Sequence, residues 1–136
     1  MTRYLLDTNA CIEVIRGRSP RVLSRLKQCA PGTVALSSIT LGELYYGVAR
    51  SSDPTRNLLA LTQFCAPLDL LPFDDRAAAA YGAVRQELER IGFPAGPLDT
   101  LIAAHALSAG TVLVTDNVRE FRRVKGLTVE NWRRLG

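Results

Sequence analysis

The run RYLLDTNACIEVIRG, residues 3–17, decides the fold. Tyr4-Leu5-Leu6 is apolar without alternation, as a short strand buried on both faces requires. Asp7 closes it. A helical pattern follows from Ala10 to Arg16, and Gly17 stops it. A buried strand passing straight into a helix opens an α/β protein. It also leaves a carboxylate at the strand's end.

The alternation continues outward from there. Ser19-Pro20 is an N-cap followed by proline at the first helical position, with Val22, Leu23, Leu26 and Cys29 at helical spacing behind it. TVALS (33–37) is a second strand. Ser37 or Ser38 caps a helix to about Arg50, and Asp53-Pro54 opens another to Cys65. DLLPF (69–73) is a third strand, pushed to a sheet edge by Pro72. Asp74 or Asp75 caps a long helix to Ile91, FPAGP is a loop, and residues 98–109 form a helix closed by Gly110. TVLVT (111–115) reads as a central strand, a short helix covers 118–123, and LTVENW (127–132) reads as a last strand. The order βααβααβααβαβ predicts one α/β domain over residues 1–136, a central parallel sheet flanked by helices on both faces.

Composition narrows the class. The chain has 136 residues, 47% hydrophobic and 22% charged, which suits a globular core. Met1-Thr2-Arg3 runs directly into the first strand, and no apolar run reaches a membrane span, so a cytoplasmic protein without signal peptide is expected. Cys11, Cys29 and Cys65 have no metal-ligand spacing and are expected as buried free thiols. The net charge is +4 and the pI about 9.3. This excess suits a nucleic-acid partner without proving one.

The acids carry the chemistry. In parallel sheets ligands bind beyond the carboxyl ends of the strands. Asp7 and Asp116 stand at two such ends, Asp99 opens a helix after the Gly/Pro loop, and Glu43 lies in the helix after the second strand. Each has an ordinary reading: Asp7 as a plain N-cap, Asp99 as a first-turn acid, Asp116-Asn117 as a turn and cap, Glu43 as an exposed helical acid. Gly42 and Gly47 flank Glu43 on an apolar helix and suggest a close approach there. Together the four acids would repel one another, and a divalent cation removes that conflict. Mg²⁺ takes oxygen ligands and can activate water against a phosphodiester. Without these four acids the chain would carry +8, so the pattern is an acidic pit in a basic surface.

Four blocks, LLDTNACIEV, SSITLGELYYGVAR, PLDTLIAAHAL and LVTDNVREFRRVKGLTVENW, together with LPFDDRAAAAYGAVR between them, resemble the PIN-domain ribonucleases, and within these the VapC toxins of toxin–antitoxin pairs. The resemblance spans nearly the whole chain in order. It implies a PIN fold and Mg²⁺-dependent RNA cleavage, with Mn²⁺ able to substitute. Asp7, Glu43 and Asp99 match the family's acidic metal positions. At the fourth position the family often has an acid where this chain has Asn117, and Asp116 precedes it; Asp116 ranks first because it brings charge. Thr8, Asn9, Thr115 and Asn117 would order the site. The implied chemistry is in-line attack by metal-activated water with a 3′-hydroxyl leaving group, on tRNA and most of all initiator tRNA. The resemblance also implies a homodimer, a cognate VapB-type antitoxin that lays a helix in a groove, and a larger toxin–antitoxin assembly.

Other residues sort around this. Arg16 and Arg119 are candidate RNA contacts. Tyr45 and Tyr46 are adjacent and point apart, so one is expected in the core and the other free to stack on a base or to help form a partner groove. Leu58, Leu59 and Leu61 are either core or an apolar docking face. His105 cannot share a helical face with Asp99 and is expected to be structural. Two rival classes remain. Phosphotransfer domains also place Asp at strand ends, but Asn9 stands where a haloacid-type phosphatase needs its second Asp. A non-catalytic RNA- or protein-binding module that retains the fold would lack metal-dependent cleavage.

Overall fold

The computed structural model describes residues 1–133. Five parallel strands form one sheet in the order β3-β2-β1-β4-β5. They are β1 (Tyr4–Leu6), β2 (Val34–Ser37), β3 (Asp69–Leu71), β4 (Val112–Val114) and β5 (Val129–Glu130). Between them run α1 (Thr8–Ile15), α2 (Pro20–Gln28), α3 (Ser38–Ala49), α4 (Pro54–Cys65), α5 (Asp75–Arg90), α6 (Pro97–Ser108) and α7 (Val118–Phe121). The element order is the one expected. Edges differ: α1 begins two residues early because Asp7 itself caps it, and the last strand keeps only two of its six expected residues. Pro72 falls just beyond β3, which is one of the two edge strands.

The unalternating apolar strands are explained by two cores. Leu5 pairs with Ala35 and Leu113 and packs with Val84, Leu88, Ile102 and Ala103 of α5 and α6. Tyr4 and Leu6 point the other way, toward Cys11, Val22, Leu44 and Leu61 of α1 to α4. Alternation along β1 therefore separates two apolar layers rather than core from solvent. The side chains of α6 that face the sheet include Ala103, Ala104 and Ala106, all buried, so this helix lies close against it.

Three expectations change. Of the cysteines only Cys11 is buried, with burial and then Asp7's charge raising its thiol pKa; Cys29 is the C-cap of α2 and Cys65 the last residue of α4, so both keep partial exposure. Tyr45 and Tyr46 are both exposed, because Leu44 is the residue that α3 turns inward. On α4, Leu61 is core while Leu58 and Leu59 face out. Among the described residues no helix is long and apolar enough to cross a membrane.

Topology positions the site. The chain builds β1, β2 and β3 outward in one direction, then crosses over to place β4 on the other side of β1. That reversal opens a crevice at the carboxyl ends of β1 and β4, where open α/β sheets bind ligands.

Candidate active site

Asp7 sits in that crevice, directly after β1, and is only 5% exposed. Its Oδ1 accepts the Ala10 N–H at 2.7 Å, so it is indeed the N-cap of α1. Burial pushes its carboxyl up to about 6; the Thr115 hydroxyl and Ala10 N–H pull it down, and the charges of Asp116 and Asp99 push it further up. Asp116 therefore lies close by, two residues past β4, where the Arg133 guanidinium donates to its Oδ2 at 2.8 Å. Asp99 occupies the first turn of α6 and is partly buried. Its carboxyl is raised by burial first, then by Glu120 and Glu43. Glu43 projects from α3, and Thr8 Oγ1 donates to its Oε1 at 2.8 Å. The four acids singled out in sequence thus come from four elements and converge.

The supporting residues divide. Thr8 holds Glu43 and stands 3.2 Å from the Thr40 hydroxyl. Thr115 is buried beside Asp7, and its Oγ1 accepts the Asn117 N–H at 3.0 Å. Asn117 turns its amide outward, donating to Glu120 at 2.7 Å. Asn9 is exposed and makes no side-chain hydrogen bond among the described residues. Arg16 and Arg119 are exposed; Arg16 borders the cleft described below, and Arg119 forms no salt bridge among the described residues.

Glu120 is the acid that sequence reasoning missed. It faces Asp99 from the start of α7, one turn after Asn117. Its signal was present: a lone acid inside the basic run NVREFRRVK, three residues after Asn117 and so on the same helical side.

His105 is buried and structural in position. Its Nδ1 lies 2.7 Å from Ser37 Oγ, and its ring meets Phe73 edge-on. Burial lowers its pKa, against a smaller opposing effect of Asp74. This joint ties α6, bearing Asp99, to the start of α3, bearing Glu43.

The donor chemistry fits a hard divalent cation: oxygen ligands only, mutually repelling, with one carboxylate held in a poorly solvated place. Among the described residues no three acidic, histidine or cysteine side chains are placed so that together they could hold a metal ion. The carboxylates act on one another through space, the conflict that a cation resolves.

A cleft of about 910 Å³ runs from Thr8 and Glu43 between α1, α3 and α4. Ile12, Ile15 and Leu61 are among its apolar lining, and Arg16, Arg50 and Arg56 line it with charge. Gly47 borders it. A Cβ on either Gly42 or Gly47 would meet no atom within 4 Å, so no close approach within this chain requires glycine at either place.

The PIN domain family model matches residues 4–127. The chain belongs to the PIN-domain family. It is 44% identical over 132 residues to the tRNA(fMet)-specific endonuclease VapC of Shigella flexneri, covering 97% of this chain and 99% of that one. It is 45% identical, with the same coverage, to ribonuclease VapC2 of Haemophilus influenzae. Its fold superposes on DNA-bound VapBC from Salmonella typhimurium with a TM-score of 0.92 at 42% identity, covering 97% and 99% of the two chains. Within the PIN family it is thus a VapC-type chain. PIN-domain nucleases as a class need divalent metal ions.

Proposed function

We propose that this chain is the toxin of a type II toxin–antitoxin pair, a Mg²⁺-dependent endoribonuclease acting on initiator tRNA. The observation that carries this reading is the buried Asp7, raised to about 6 among neighbouring acids at the sheet's switch point. The VapC relatives named as a tRNA(fMet)-specific endonuclease and a ribonuclease support the substrate class, and they leave the non-catalytic module without support.

Asp7, Glu43, Asp99 and Asp116 would hold the ion, with Glu120 as a fifth acid beside Asp99. Mn²⁺ would serve in place of Mg²⁺. When bound, the ion supplies charge to offset that developing on the phosphodiester and lowers the pKa of water. The protein's residues do the rest. Thr8 fixes the rotamer of Glu43, Thr115 orients Asp7, and Asn117 holds Glu120 toward Asp99. Water attacks the scissile phosphate in line and the 3′ oxygen leaves as a hydroxyl. Arg16 and Arg119, both exposed, steer the RNA backbone.

The cleft between α1, α3 and α4 fits the antitoxin. Its apolar lining suits one face of a VapB-type helix, and it ends at Thr8 and Glu43, within reach of a partner arginine. A homodimer, larger assembly with antitoxin, a cytoplasmic setting and a single domain over residues 1–136 complete the reading.

The test is cleavage of total cellular RNA by antitoxin-free protein with Mg²⁺, Mn²⁺ or chelator. Discrete tRNA fragments that require metal and vanish in Asp7→Asn and Asp99→Asn are expected. Folded protein that cuts no RNA under any condition would sink the proposal.

A further inference from the structure

The loop before α6 and the turn after α7 meet in an unusual pair. Phe93 is 47% exposed, and the Arg123 guanidinium stacks over its ring, 3.9 Å from the centroid. Both are tied closely to the site. Phe93 opens the loop that leads into α6 and Asp99, and Arg123 lies one turn after Glu120, its N–H donating to the Glu120 carbonyl at 3.2 Å.

Local structure accounts for where Phe93 sits but not for its exposure. Gly92, at φ +79°, ends α5; the Gly92 N–H donates to the Glu89 carbonyl and the Phe93 N–H to the Leu88 carbonyl, a Schellman turn. An apolar residue at this position usually folds back onto the helix it terminates. Leu88 is already buried at 3%, and much of the Phe93 ring stays in solvent. Arg123 is half-buried and has no salt bridge among the described residues, and Arg119, Arg122 and Lys125 lie within four residues of it in the chain. An exposed aromatic and a guanidinium without a carboxylate partner among the described residues, stacked on the segments that carry Asp99 and Glu120, are the two parts of a single-strand nucleic-acid contact: a ring for a base and a cation for its phosphate.

We propose that Phe93 and Arg123 grip the RNA substrate on the Asp99 flank, an unpaired base stacking on the open part of the Phe93 ring while Arg123 holds the adjoining phosphate. The inference rests on the ribonuclease reading above and names where that substrate is held. Phe93 and Arg123 act in binding, with no part in the bond-breaking step.

The experiment is steady-state cleavage of an initiator-tRNA anticodon stem–loop, with total cellular tRNA as second substrate, by wild-type, Phe93→Ala, Phe93→Tyr, Arg123→Gln and the Ala/Gln double variant. Phe93→Ala and Arg123→Gln should each raise KM about tenfold with kcat within about twofold, and Phe93→Tyr should stay near wild type. The double variant should fall short of the product of the single effects, because the two groups share one nucleotide. Arg123→Gln should also flatten the dependence of log affinity on log salt by about 0.7, whereas Phe93→Ala leaves that slope alone. An unchanged KM in an active enzyme overturns this inference and spares the ribonuclease reading. So does a fall in kcat at constant KM, which would make the pair a brace for Asp99. Wild-type protein inert on both RNAs overturns inference and reading together.

Discussion

Asp7 and Asp74 make the same local bond in different places. Each follows a strand in extended backbone, and each accepts, through Oδ1, the N–H of the residue three further on, at 2.7 Å from Ala10 and 2.9 Å from Ala77. Asp74 follows the edge strand β3 and stands in solvent. Asp7 follows the central strand β1, is buried, and lies where Asp116 and Asp99 act on it. An N-cap therefore does not exclude a site role. Under the proposed function the same carboxylate would do both jobs, because the strand beneath it is central and its neighbours bring further acids.

The largest expected effect separates the two in activity. Asp7→Asn should reduce metal-dependent RNA cleavage by about a thousandfold or more, the several kcal/mol that a lost metal ligand represents. Asp74→Asn should leave the rate within about twofold. Equal losses, in a gel-based cleavage assay, would erase the distinction.

Next comes pH. Asp7 titrates at about 6 in the fold against 3.8 in the open chain, so between those values the folded state keeps a proton that the unfolded state has released. Its pKa is raised, so stability without metal falls as pH climbs through this window, by about 3 kcal/mol in all. Above the window Asp7 adds no further slope. Urea unfolding in chelator at pH 4, 5 and 7 measures this. Asp7→Asn should lessen the slope, leaving the part that the raised Asp99 carboxyl contributes, and stabilise the protein at pH 7, since the amide oxygen can still cap Ala10. A slope undiminished by the substitution would place the buried charge elsewhere.

Divalent metal should reverse that cost. Millimolar Mg²⁺ or Mn²⁺ at pH 7.5 should raise the Tm of wild type by several degrees, since an ion bound only by the fold stabilises it. Asp7→Asn should show little of this shift, and Asp74→Asn all of it, by differential scanning fluorimetry.

The smallest effect is the cap itself. Asp74→Ala should cost about 1 kcal/mol. Asp7→Ala, losing the same bond but also the buried charge, should cost less at pH 7 or stabilise. If both lose the same amount in chelator, burial of Asp7 carries no electrostatic penalty.

Much of this was legible in the chain. Apolar runs without alternation gave parallel, doubly covered strands, and Pro72 marked the edge. The three blocks around Asp7, Glu43 and Asp99 singled out acids that the fold brings together. What was misread depended on facing. Tyr45 and Tyr46 were expected to divide between core and solvent, but Leu44 takes the inward position on α3 and leaves both outside. Glu120 was passed over within a basic run because its partner, Asp99, is 21 residues away in sequence and near only after α6 and α7 pack.

The sequence by itself determined the order of elements, the two apolar layers and which side chains carry acid, because periodicity, caps and residue chemistry act over a few neighbouring residues. Only the tertiary structure decided that Asp7 is buried rather than merely capping, that Thr8 reaches Glu43 across 35 residues and that Arg123 lies on Phe93. Desolvation and through-space charge depend on what the crossover from β3 to β4 brings alongside, and no local pattern encodes that.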